Sequence, residues 1–116
     1  MLVVVNHLHL RDPVTDTTVE AFREATQQTV AAGARAARVL KVTDTHLILL
    51  LDFRSPEDAD RVSREIGGRW MRENIVPLLG RDTERSVGEV ICSAQARETP
   101  ENLHRSGEDP LRTQPR

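Results

Sequence analysis

ARVLKVTDTHLILLLDF, Ala37 to Phe53, decides the fold. Two apolar runs, Ala37–Thr43 and His46–Phe53, are separated only by Asp44-Thr45, so they read as an antiparallel hairpin. The second run says more. Side chains alternate between the faces of a sheet, and a strand with one wet face carries a polar residue at every other position. Leu47, Ile48, Leu49, Leu50 and Leu51 are apolar on both sides. Such a strand sits in the middle of a sheet whose two faces are both covered.

The pattern extends outward in both directions. Upstream, VVVNHLHL (Val3–Leu10) belongs to a first strand over 2–10, stopped by Asp12-Pro13, and Val3 to Val5 are again apolar on both faces. Between this strand and the hairpin lies TVEAFREATQQTVAAG. Val19, Phe22, Thr26, Thr29, Val30 and Gly33 recur there at helical spacing beside Ala25, with Thr17 and Glu20 as a capping box and Gly33 as the stop. Downstream, Ser55-Pro56-Glu57-Asp58 is a helix start, with Ser as cap, Pro at the first position and acids in the first turn. Ala59, Val62 and Ile66 share one face. Gly67-Gly68 loosens the helix before a second helical piece over 69–79, bent near Pro77. The last strand is expected over 85–92.

The order strand, helix, strand, strand, helix, strand with right-handed crossovers gives an α+β, ferredoxin-like βαββαβ fold. Its four-stranded antiparallel sheet has the first and third strands at the centre and both helices on one face. The domain is expected over 1–94, followed by a polar tail over 95–116. From Glu98 the chain has two leucines and three prolines among mixed charges, too little apolar surface to offset ordering it. Helices on one face leave the other apolar face uncovered. A second copy of the same sheet, packed by two-fold symmetry, is the simplest cover, so a homodimer through the open face is expected.

Composition narrows the function. A net charge of -2 and 3% aromatic residues predict no nucleic-acid partner and no anionic-membrane binding. No stretch reaches the roughly 20 apolar residues of a membrane span. Cys92 is the only cysteine, which fits a reducing, cytoplasmic setting and rules out an internal disulfide. Neither a glycine-rich phosphate loop nor a nucleophile elbow occurs.

The opening strand, the hairpin and the segment SPEDADRV…WMRENIVPLL together resemble the dimeric α+β barrel superfamily, most closely its antibiotic biosynthesis monooxygenase (ABM) type, over about residues 1–93. The resemblance implies a paired barrel and a small-molecule ligand. It admits cofactor-independent monooxygenases of aromatic or polyketide-like substrates, haem-degrading enzymes, cyclases and non-catalytic members. Haem-degrading relatives use an Asn on the first strand, a Trp near the second helix and a His after it. Asn6 and Trp70 match the first two, but residues 71–80 contain no histidine, so no haem is expected. The monooxygenase type implies no cofactor, with Asn6 polarising a ring oxygen and Trp70 walling the pocket as candidate catalytic residues.

Other roles compete for the same residues. Leu2, Val4, Asn6, Leu8 and Leu10 share the more apolar face and belong under the helices, which makes Asn6 a lone amide in an apolar row. It is either a structural amide bonded to backbone or a pocket amide aimed at a ligand. Trp70 is either a core residue or a pocket wall. His7 and His9 project from the open face, two positions apart, a spacing that suits ligand or metal contact. The strand order brings His46 beside them, making the three a candidate metal set, weighed against rim histidines that are solvated or paired with carboxylates. Arg69 is a candidate for a substrate anion, weighed against a solvated helix face. Glu89 shares a row with Val87 and Ile91. The functional alternatives to an oxygenase are a non-catalytic binding or assembly module and a metal-binding protein. Pocket volume beside Asn6 and Trp70 separates the first two.

Overall fold

The computed structural model describes residues 1–96. The expected tail over 95–116 falls almost wholly outside them. Four strands, β1 (Leu2–His9), β2 (Ala36–Thr43), β3 (His46–Phe53) and β4 (Glu84–Glu89), alternate with α1 (Asp16–Ala32), α2 (Pro56–Ile66) and α3 (Arg69–Asn74). A single 3-10 turn, Val76–Leu78, follows α3. The sheet order is β2-β3-β1-β4, antiparallel throughout, with β1 and β3 central as expected. Among the described residues, no helix is long and apolar enough to cross a membrane.

The elements form for local reasons. Ser55 caps α2 by accepting a hydrogen bond from the Asp58 amide, with Pro56 at the first position. The capping box of α1 is Thr15 with Thr18, not Thr17 with Glu20. The helix starts a little earlier than expected because Thr15 adopts extended backbone and the Thr18 hydroxyl can reach back to its amide. Gly33 ends α1 at φ +132°, a conformation that favours glycine. Arg61 on α2 donates to the Ala32 carbonyl at 2.6 Å, placing a cation on the negative end of α1.

The last elements are shorter than the sequence suggests. α3 stops at Asn74 and yields to the 3-10 turn because Pro77 cannot supply an amide to a continuing α-helix. β4 ends at Glu89. It pairs only with β1, whose first paired residue is Leu2, so no strand partner is left for residues 91–92.

Two apolar clusters lie between sheet and helices. One gathers Leu8, Leu10, Phe22, Ala25, Leu47, Leu49 and Ile75; the other gathers Val4, Ala34, Phe53, Ala59 and Val62. The even-numbered side of β1 is thus beneath the helices. The buried stripe of α1 is Phe22, Ala25 and Thr29, whereas Val19 and Val30 are 44% and 45% exposed. Val30 is one residue off the stripe, and Val19 faces a groove between α1 and β2. Thr29 is buried without penalty because its hydroxyl donates to the Ala25 carbonyl at 2.7 Å.

On the opposite face the cross-strand rows read Arg38-Leu50-Val5-Ser86 and Leu40-Ile48-His7-Glu84. Val3, Val5, Ile48 and Leu50 are half-buried, and Leu40 and Val42 are 43% and 52% exposed. This is the apolar open face expected from the two central strands.

Candidate functional site

Asn6 stands on β1 between Val4 and Leu8, and these neighbours belong to different apolar clusters. A cavity of about 300 Å³ opens at that seam. Its walls are mostly apolar, from Val4, Leu8 and Leu49 on the sheet to Val62, Met71 and Ile75 on the helical side. The polar contributors are Asn6, Thr29, Ser63, Thr83 and Arg85. Thr29 is already bonded internally. Among the described residues, the side chains of Asn6 and Arg85 have no hydrogen bond or ion pair. Burial of an amide against apolar walls is tolerated only when water or a ligand meets it. No buried side-chain nitrogen or oxygen among the described residues is left without a partner, so the Asn6 amide is reached from the cavity and not sealed in.

Register puts Arg85 there. It is the direct antiparallel partner of Asn6 across β1 and β4, and directly opposed residues share a face. β4 is exposed along its whole length, which makes its side the open side of the cavity. An amide donor and a guanidinium therefore stand together at one end of an apolar chamber. Such a pair can hold an oxygen atom that gains negative charge.

The opposite face carries a second cluster. His7 Nδ1 and His46 Nε2 are 3.0 Å apart, the His9 and His46 rings stack at 4.7 Å, and His9 Nε2 donates to Glu84 Oε1 at 3.2 Å. An Arg81 nitrogen lies 3.2 Å and 3.1 Å from the two ring nitrogens of His9, a position reached only over the ring. The His46 pKa lies below its ordinary value, first because burial strips water from the ring and then because His9 and His7 repel its charge. The Glu84 pKa is lowered chiefly by its bond to His9. The three histidines meet as the strand order predicts. Their nitrogens do not converge on one point, since His9 offers its face to His46 and its Nε2 to Glu84. Among the described residues no group of three His, Cys, Asp or Glu side chains can hold a metal ion.

No protein-family model matches the sequence, and no curated protein matches it. Solved structures do match in fold. SnoaB, a cofactor-independent oxygenase from Streptomyces nogalater, aligns with TM-score 0.64 at 13% identity over 85% of this chain and 95% of its own. The ActVA-Orf6 monooxygenase of Streptomyces coelicolor, solved with nanaomycin D, aligns with TM-score 0.65 at 15% identity over 83% and 92%. A structure described as an antibiotic biosynthesis monooxygenase aligns with TM-score 0.62 at 14% identity over 79% and 100%. The chain has the ABM fold.

Within the ABM fold the other candidates fall in different places. Trp70 is partly buried against the first apolar cluster and does not line the cavity. Successive helical residues turn by 100°, so α3 can aim Met71 and Ile75 at the cavity only by turning Trp70 away. Arg69 is 84% exposed and paired with Glu73 at 2.9 Å, which sets it on the solvated face of α3. Glu89 shares the row of Arg85 and Val87 but is exposed. Sequence reasoning missed Arg85 and Thr83. Alternation from Val87 would have put Arg85 on the helix-side face, but only the register shows that it opposes Asn6.

Proposed function

We propose that this chain is a cofactor-independent oxygenase of a small, electron-rich aromatic or polyketide-like phenol, working as a homodimer in a reducing cytoplasm. The pairing of Asn6 with Arg85 at the edge of the apolar cavity carries this reading. An apolar chamber accepts the ring system, and at about 300 Å³ it is at the small end for ligand pockets, which selects a compact fused-ring substrate. Arg85 and Asn6 hold the phenol oxygen and favour its ionised form. The ionised ring is electron-rich enough to reduce oxygen itself. One oxygen atom bonds to the ring carbon, the other leaves as water with two substrate hydrogens, and the phenol becomes a quinone. Binding without chemistry would use the same cavity and the same two polar groups, and oxygen uptake separates the two readings. The similar solved structures include a cofactor-independent oxygenase, which supports the same chemistry.

The dimer reading rests on the open face. An interface made by two-fold symmetry must be self-complementary. Around its apolar centre this face carries Arg38 in the row of Leu50 and Asp52 in the row of Val3, charges of opposite sign, with Glu84 further along in the row of His7. A rotated copy can oppose Arg38 to Asp52.

The test is direct. Oxygen uptake with a fused-ring phenol is measured with wild type, Asn6→Ala and Arg85→Met. Wild type should exceed the phenol's own autoxidation, and both variants should lose most of that excess. Calorimetric binding with no oxygen uptake would leave the binding-module alternative. No binding of any fused-ring phenol would end the oxygenase reading.

A further inference from the structure

The imidazoles of His7, His9 and His46 lie on the sheet face away from the cavity, so the proposed chemistry does not use them. Their arrangement has a property of its own. In the 3.0 Å contact between His7 Nδ1 and His46 Nε2, one nitrogen must donate and the other accept. The pair tolerates neutral rings or one added proton, but a second proton leaves two donors facing each other. His9 stacks on His46 at 4.7 Å, so its charge too is felt at close range. The charged groups facing the cluster are Glu84 on β4 and Arg81 in the segment before β4. They cancel. The neutral cluster therefore carries no net charge, and the fully protonated one carries three positive charges.

The location matters as much as the charge. His7 is in the same cross-sheet row as Leu40 and Ile48, and Ile48 is its direct partner on β3. Any partner that covers the apolar centre also takes water from His7 and brings a low dielectric to its neighbours. Desolvation and like charges both disfavour imidazolium. A two-fold partner adds a second cluster of the same sign.

We propose that the His7, His9 and His46 cluster is a proton-operated release for the paired sheets: neutral rings let two open faces associate, and protonated rings drive them apart. This rests on the homodimer reading above. The lowered pKa of His46 has the direction that this requires. That shift belongs to the single folded chain; covering the face takes further water from the rings and adds like charge, so pairing expels protons from them at mildly acid pH. The association should therefore weaken on mild acidification, in the range from neutral to about pH 5.5.

Sedimentation of the full chain at pH 7.5 and 5.5 tests this, with wild type beside the triple variant His7→Gln, His9→Gln, His46→Gln. Each proton expelled on association makes the dimer dissociation constant rise about tenfold per pH unit below the imidazole pKa values. Wild type should therefore weaken by about tenfold or more over that range, and the triple variant by less than about threefold. A wild-type constant that does not move, or a triple variant that moves as much, overturns the release and leaves the dimer standing. A chain that is monomeric at pH 7.5 overturns both. Should the triple variant fail to fold, imidazole titration by NMR decides. The midpoints must be lower in the wild-type dimer than in a Leu50→Asp monomer, and equal midpoints overturn the proposal.

Discussion

Asn6 on β1 and Arg85 on β4 are directly opposed across two antiparallel strands, on the helix-covered face of the sheet and at the edge of a cavity. They are 79 positions apart in the chain, and strand pairing alone brings them together. Neither side chain has a protein hydrogen bond among the described residues, so what each does is decided by what enters the cavity.

Asn6→Ala should change stability by less than about 1 kcal/mol, because no partner among the described residues is orphaned when the amide is removed. Thermal denaturation of the variant measures this and needs no substrate. A loss of about 1–3 kcal/mol would mean that the amide is structural.

Arg85→Met should leave the melting temperature nearly unchanged, since β4 is exposed and the guanidinium has no partner among the described residues. Its affinity for an ionised phenol should fall by about tenfold to a hundredfold, the worth of one charge-assisted hydrogen bond. Calorimetric titration of both proteins with the same phenol, at a pH where it is ionised, reads the difference.

Leu50→Asp sets a carboxylate at the centre of the open face, where its row partners are Arg38 and Val5. In a paired barrel it would be buried in both copies, and the dimer dissociation constant should rise about a hundredfold or more. Light scattering should show half the wild-type mass with the far-UV spectrum retained. An intact dimer would place the interface elsewhere.

Gly33→Ala should destabilise the fold by about 1–2 kcal/mol, because an alanine at φ +132° is strained whatever space surrounds it. The added methyl would also press on the end of Arg61, which bonds the last turn of α1. Denaturant titration of the two proteins compares them, and an unchanged midpoint would show that α1 ends differently.

Glu84→Gln removes the one carboxylate among the described residues that favours a charged His46. The His46 titration midpoint, followed by NMR, should move further down. The acid side also has a fixed sign: Glu84 has a lowered pKa, so its contribution is present above its ordinary value of 4.5 and is lost as pH falls through the folded value.

The hairpin and the two central strands were legible because burial on both faces leaves an unbroken run of leucine and valine in the sequence. The place of Asn6 followed from alternation along β1, and the meeting of the three histidines followed from strand order. The site residues failed where a rotation or an offset decides. Trp70 and Met71 are adjacent in the sequence, and nothing in their types tells which of them α3 turns toward the cavity. Arg85 depends on how the chain from Gly80 to Thr83 crosses the end of β1, where Gly80 donates to the His9 carbonyl at 2.7 Å. One residue more in that crossing would reverse the faces of β4 and send Arg85 to the other side of the sheet.

The cavity lies at the seam between two separate apolar clusters and not inside either one. Each cluster keeps most of its own neighbours when a wall residue such as Ile66 or Met71 is exchanged. Such exchanges reshape the chamber at small cost in folding. The inner walls, Val4, Leu8, Leu49, Phe53, Val62 and Ile75, belong to the clusters and are held by folding, so the shape of the chamber can be varied cheaply only on the side of Ile66 and Met71.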